Sequence, residues 1–232
     1  MRLRLAAGIL LCAASAHHLN AQGGDPKLMS EAAAVRDAVV RNNAALRQYS
    51  WIEHTEVLVK GDVKVSTDFA CRYDGKGELT KMPLGKPTEE KQANALSKRH
   101  TVRKKSDMQD YIDRAITMIQ TYVPLKPDEI QLALQNGTAS LGPSGGGKSE
   151  ILFKDYFKGG DSLVFTYDSA SKALLKAAVN SNLGTPKDPV TLEALFETLP
   201  DGVNHLASAT LNASAKKVQV RRTNATYQKV AN

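Results

Sequence analysis

The sequence predicts an α+β protein: a curved antiparallel sheet, an incomplete β-barrel, packed against an N-terminal helix and a central helix pair. Three observations predict it. Met108, Tyr111, Ile112, Ala115, Ile116, Ile119, Tyr122 and Val123 recur at three- and four-residue steps, so Ser106 to Val123 carries one wide apolar helical stripe that must lie on something. On either side of it, apolar residues alternate at period two, the pattern of half-buried strands. Short turns rich in Gly, Asp and Pro separate those strands, which favours antiparallel hairpins.

Taken in order, the chain opens with Arg2 and Arg4 ahead of an apolar run, Leu5 to Ala16. A membrane span needs roughly 20 apolar residues, so this run is short for an anchor. Leu19-Asn20-Ala21 before Gln22 reads as a cleavage site. Residues 1–21 are therefore expected to be a secretory signal peptide, and 22–232 a single exported domain, periplasmic or secreted.

Lys27 to Arg47 reads as a helix with Leu28, Ala32, Val35, Val39 and Leu46 on one face, interrupted around Asn42-Asn43. Tyr49 to Val59 is rich in aromatic and β-branched residues. Gly61-Asp62 turns it into a second strand in which Val63, Val65, Thr67, Phe69, Cys71 and Tyr73 alternate with polar residues. A short strand follows near Glu78 to Met82. Pro83 to Lys105 reads as a polar connection with room for a helix at Thr88 to Arg99. Ser106 and Gln109 have capping-box spacing for the central helix, and Pro124 stops it. A second helix runs from Pro127 to Gln135, with Asn136-Gly137 as its C-cap. From Ser149 onward strands return around Ile151 to Phe157, Leu163 to Tyr167, Ala173 to Leu183, Val190 to Leu199, Val203 to Asn212 and Lys217 to Tyr227. The total expected is eight or nine.

Charge and motifs restrict the chemistry. The chain has 31 Lys and Arg against 24 Asp and Glu; with the two leader arginines removed, the mature excess is +5, modest and spread out. Its densest cluster, Lys98, Arg99, Arg103, Lys104 and Lys105, is a solvated loop or a contact for anionic headgroups or a protein partner. No aromatic-interleaved motif points to nucleic acid. Cys71 alone remains after the leader, on the strand face of Val65, Phe69 and Tyr73, and reads as a buried thiol. Gly142 to Ser149 fits the phosphate-loop pattern, which works only between a buried strand and a helix; the flanking segments favour a glycine-rich turn. His54, His100 and His205 are scattered and read as surface or edge residues. No catalytic set, metal site or cofactor is expected, and the protein is read as non-enzymatic and monomeric.

The Gly160-Asp161-Ser162-Leu163-Val164-Phe165 stretch and the strands from Leu199-Pro200-Asp201-Gly202 to Tyr227 complete a layout of leader, helix, hairpin, central helices and antiparallel strands. This layout resembles the periplasmic lipoprotein-carrier superfamily of LolA and LolB. The YSWIE hairpin and the PDG-V-N-H turn are also similar to a group of uncharacterised exported bacterial proteins. The carrier resemblance implies a hydrophobic ligand, an acyl chain or lipoprotein, held between sheet and helix lid. It would place Trp51, Val57, Val65, Phe69, Phe165 and Tyr167 on the sheet wall and Met108, Ile112, Ile116 and Ile119 on the lid. The competing expectation is a filled core, in a structural or protein-interaction module.

Overall fold

Asp25 accepts a hydrogen bond from the Lys27 amide at 2.9 Å and Pro26 takes the first helical position, so helix α1 (Pro26–Leu46) starts with its free donors met. The structure of the chain, a computed structural model, describes residues 25–89, 98–122 and 132–230, and for 86–89 and 98–105 the backbone alone. The expected signal peptide, the start of the second central helix at Pro127, and most of the Thr88 to Arg99 segment lie outside the described residues.

After α1 come strands β1 (Tyr49–Val59), β2 (Asp62–Tyr73) and β3 (Leu79–Glu89), then helix α2 (Lys98–Ile119). The run continues with β4 (Ala139–Leu141), β5 (Lys148–Lys154), β6 (Ser162–Asp168) and β7 (Leu174–Asn182). It ends with β8 (Pro189–Thr198), β9 (Asn204–Ala213) and β10 (Val218–Lys229). Among the described residues these ten strands form one sheet in the order β3-β2-β1-β10-β9-β8-β7-β6-β5-β4. Every pairing is antiparallel, and β3 and β4 are its two edges, so the sheet is open rather than closed into a barrel. The α+β reading with an open antiparallel sheet stands.

Two meanders are joined where β1 pairs with β10, Glu53 opposite Asn224 and Val57 opposite Val220. The connection from β3 to β4 therefore runs from one edge of the sheet to the other, and it carries α2 over the face between them. Leu28, Ala32 and Val35 of α1 and Tyr111, Ile112, Ala115 and Ile119 of α2 are buried with Ile151, Phe153, Leu163, Phe165, Val179, Val190 and Leu211 in one apolar cluster. Each fully buried side chain of that size contributes about 1.5–3 kcal/mol relative to exposure.

The structure changes three details of the sequence reading. First, β3 extends to Glu89, through Pro83 and Pro87. Prolines read as loop, but an edge strand has one side free of ladder bonds and accepts them. Gly85, at φ +89°, sits where the register slips between Ser66 and Asp68. Second, α2 starts at Lys98, so Ser106 is inside the helix rather than at its cap, and Gln109 bonds Asp113 at 2.9 Å. Lys and Arg are good helix formers, so the basic run is helical backbone and not a loop. Third, β4 is an additional short edge strand.

Local signals elsewhere match their geometry. Lys60 and Gly61 both have positive φ, as a two-residue hairpin turn requires. Gly137 (φ +68°) donates to Leu134 O and Thr138 to Ala133 O, the paired bonds that close a helix at the expected C-cap. Thr226, at φ +58°, falls at the β1–β10 register shift and returns Tyr227 to the face of Trp51, on which it stacks with centroids 5.5 Å apart.

Candidate functional site

On the helix-bearing side a cleft of about 460 Å³ opens beside the C-terminal half of α1. Its larger apolar lining comes from Val39 and Leu46 of α1, Leu174 at the start of β7, Phe196 of β8, Val203 just before β9 and Leu206 in it. Arg41, Asn42, Lys172, Asp201, Asn204 and His205 are among its polar lining. That volume falls within the ~300–1,000 Å³ range of small-molecule sites.

A two-way amide clasp builds the cleft. Asn42 Nδ2 donates to Asn204 O and Asn204 N donates to Asn42 Oδ1, each at 2.6 Å. Asn204 Nδ2 also donates to Leu174 O at 3.0 Å and to Glu197 O at 3.2 Å. The helix is thereby fixed to the turn before β9, and the polar interruption of its apolar stripe at Asn42 is the attachment point.

The charges around the cleft differ in their engagement. Lys172 pairs with Glu31 at 2.8 Å, and Tyr167 donates to the same carboxylate at 2.9 Å. Those two hydrogen bonds hold the Glu31 carboxyl below its ordinary value, while burial and Glu31 push the Tyr167 hydroxyl up to about 12. Asp201 pairs with Lys229 at 2.8 Å and accepts from the Tyr49 hydroxyl; Lys229 and Tyr49 lower its carboxyl to about 2. His205 is 7% exposed, and its Nδ1 lies 3.2 Å from Leu206 O. A carbonyl only accepts, so Nδ1 carries the proton. Its ring lies 4.1 Å from the Tyr227 ring. The expectation of a surface or edge histidine is corrected here: aromatic packing at the strand start buries it.

The sequence-predicted site residues separate into two groups. Met108, Ile112, Ile116 and Ile119 of α2 pack with Phe165, Tyr167 and Val57 in the apolar cluster. Around them Ala115 and Tyr167 are 0% exposed, Tyr111 1% and Phe165 2%, so the face under α2 is filled at these side chains. Trp51 lies elsewhere, in an aromatic group with Tyr73 and Tyr227. Val65 and Phe69 are half-buried and outside the apolar cluster. None of the ten lines the cleft beside α1. Lys98, Arg99, Arg103, Lys104 and Lys105 are on α2, with side chains outside those described.

Two polar ties hold the α2 region over the sheet. Tyr111 donates to Asp188 at 2.6 Å, and burial with this bond pushes its hydroxyl up to about 12. Tyr122 donates to Asp161 at 2.5 Å. A third polar group lies toward the β3 edge, where buried Glu53 meets Lys81 Nζ at 2.6 Å and Arg222 Nε at 3.3 Å. Cys71 beside it is 1% exposed, and burial raises its thiol pKa.

The phosphate-loop pattern has the wrong surroundings. Gly142 to Ser149 joins β4 to β5 in an antiparallel pair, with a Gly145–Lys148 bridge and no helix following. Backbone amides of a helix start, which such a loop needs, are not there. Of the cleft's lining, the sequence pattern marks Val39 and Leu46 on the apolar face of α1, the Asn42-Asn43 interruption, and the PDG-V-N-H turn that includes His205. Phe196 and Lys172 belong to separate hairpins, and nothing local signals their convergence.

An open sheet with a cleft beside its first helix is compatible with a binding protein. No protein-family model and no curated protein matches the chain. Among solved structures it is similar to a DUF1329 family protein from Desulfovibrio piger ATCC 29098, at 8% identity and a TM-score of 0.42, covering 87% of this chain and 92% of that one.

Proposed function

We propose that this is an exported, non-enzymatic protein of the periplasm or cell exterior that binds or carries a ligand with a hydrophobic chain, an acyl chain or a lipoprotein, between sheet and helix. The observation that carries this reading is the cleft beside α1, with Val39, Leu46, Leu174, Phe196, Val203 and Leu206 among the apolar side chains around about 460 Å³. A chain entering it gains about 0.8 kcal/mol per buried CH₂. Entry under α2 is costlier, because filled packing and the Tyr111 and Tyr122 ties must first give way. The ligand thus enters beside α1, in a variation on the lid opening expected for LolA- and LolB-like carriers. The basic run Lys98–Lys105 would keep the protein near anionic headgroups.

The test is native mass spectrometry of protein purified from the export compartment of its host, with a delipidated, refolded sample as control. A co-purifying mass of lipid size, absent from the control and from a folded Leu46→Asp variant, is the expected result. The packed face around Ala115 favours a second reading, a filled-core interaction module. A clean apo mass that does not change when lipids or acylated peptides are added would select that module.

A further inference from the structure

The cleft's ligand can be specified further from the charges at its rim, on the reading that the cleft binds an apolar chain. Arg41 lines the cleft from α1 and is exposed. Among the described residues it makes no hydrogen bond or ion pair. The other charged groups of the lining are already matched: Lys172 by Glu31 at 2.8 Å, and Asp201 by Lys229 at 2.8 Å and by Tyr49. The amide of Asn42, next to Arg41, is used on both sides by Asn204. Among the described residues, the rim therefore presents one guanidinium whose charge no neighbour balances, above apolar walls.

We infer that the cleft takes a single-chain amphiphile with an anionic head, the chain lying against Phe196, Leu174 and Leu206 and the head on Arg41. A guanidinium offers planar paired donors that suit a carboxylate or a phosphate, and charge-assisted bonds of this kind are about twice as strong as neutral ones. A cationic head would meet Arg41 without a counter-charge, since the Asp201 carboxylate is held by Lys229 and Tyr49. A neutral head would leave the guanidinium in water and gain only the chain. Carboxylate and phosphate heads share the chemistry and differ in source, a free fatty acid or a phospholipid fragment.

Isothermal titration calorimetry on the delipidated mature protein tests this with decanoate, decyl phosphate, decanol and decyltrimethylammonium, all below their aggregation concentrations. The expected result is binding of both anions about tenfold or more tighter than decanol, and no binding of the cation. Arg41→Gln should bring the anions down to the level of decanol and leave decanol unchanged, while Arg41→Lys restores part of the preference. The tighter of the two anions names the source. Equal affinities for decanoate and decanol, or an Arg41→Gln variant with unchanged anion affinity, would overturn the inference and leave the apolar-chain reading intact. If none of the four probes bound to protein with an unaltered circular dichroism spectrum, the apolar-chain reading itself would fall, and this inference with it.

Discussion

Tyr122 donates its hydroxyl to Asp161 at 2.5 Å and lies 2.9 Å from Ser181 Oγ, joining the turn after α2 to the β5–β6 turn and to β7. Asp161 is itself 3% exposed and accepts from the amides of Tyr156, Phe157 and Lys158 at 2.7, 3.1 and 2.9 Å. Its carboxylate organises the turn and holds the helix with the same two oxygens. Burial and Asp161 raise the Tyr122 hydroxyl above the ordinary tyrosine value.

Tyr122→Phe should therefore destabilise the fold by about 1–3 kcal/mol, the cost of leaving a buried polar partner short of one bond. Urea unfolding monitored by circular dichroism measures it. A change within experimental error would show that the Tyr122 bond adds nothing measurable to the apolar contacts and the Tyr111–Asp188 bond that hold α2.

Ala115 of α2 is 0% exposed in the apolar cluster. Ala115→Leu should cost about 1–3 kcal/mol, because the added carbons have no room. A neutral or stabilising effect in the same unfolding assay would mean that a void adjoins this position and that a chain could lie there.

The Asp201 carboxyl, lowered to about 2 from an ordinary 3.8 by Lys229 and Tyr49, sets an acid dependence. A depressed folded-state pKa gives stability that is complete above the ordinary value and is lost as pH falls through the folded one. The stability difference between wild type and Asp201→Asn should thus be constant near neutrality and close between about pH 4 and pH 2. Unfolding midpoints measured across that window check it. A gap that persists below pH 2 would assign the effect to packing.

Glu53, with a side chain 5% exposed, depends on Lys81 at 2.6 Å for its nearest counter-charge. Lys81→Met should destabilise the protein toward the lower end of the roughly 3–5 kcal/mol typical of a broken buried pair, since Arg222 remains at 3.3 Å. Adding Glu53→Gln should recover part of the loss, and a double-mutant cycle reads the coupling. Strict additivity would show that the two side chains act independently.

Much of the architecture was legible as periodicity. Alternation at period two marks β1 and β2 and the strands from β5 to β10, and the stripe from Met108 to Ile119 marks the buried side of α2. Turn chemistry located the Gly137 cap and put the β1–β2 turn at Gly61-Asp62, one residue after the observed Lys60-Gly61 pair. Signals that depend on context misled. Ser106 and Gln109 have capping spacing, yet helix-favouring Lys and Arg upstream carry the helix back to Lys98. Pro83 and Pro87 look like loop residues until β3 is known to be an edge.

The sequence by itself determined which residues turn inward on each element, because side-chain direction follows from the 3.6- and 2-residue repeats of a local backbone. Only the tertiary structure decided what those inward faces meet. Pairing of β1 with β10 brings the first and last strands of the chain order together, and the clasp between Asn42 and Asn204 spans 162 residues. Contacts at such separations are selected by the fit of the whole sheet, so Leu46, Phe196 and Leu206 come to one cleft with no local pattern announcing it. The lid residues Met108, Ile112, Ile116 and Ile119 share one apolar cluster with Phe165 and Tyr167, where the apolar face of α2 meets the sheet and Tyr111 and Tyr122 tie it there.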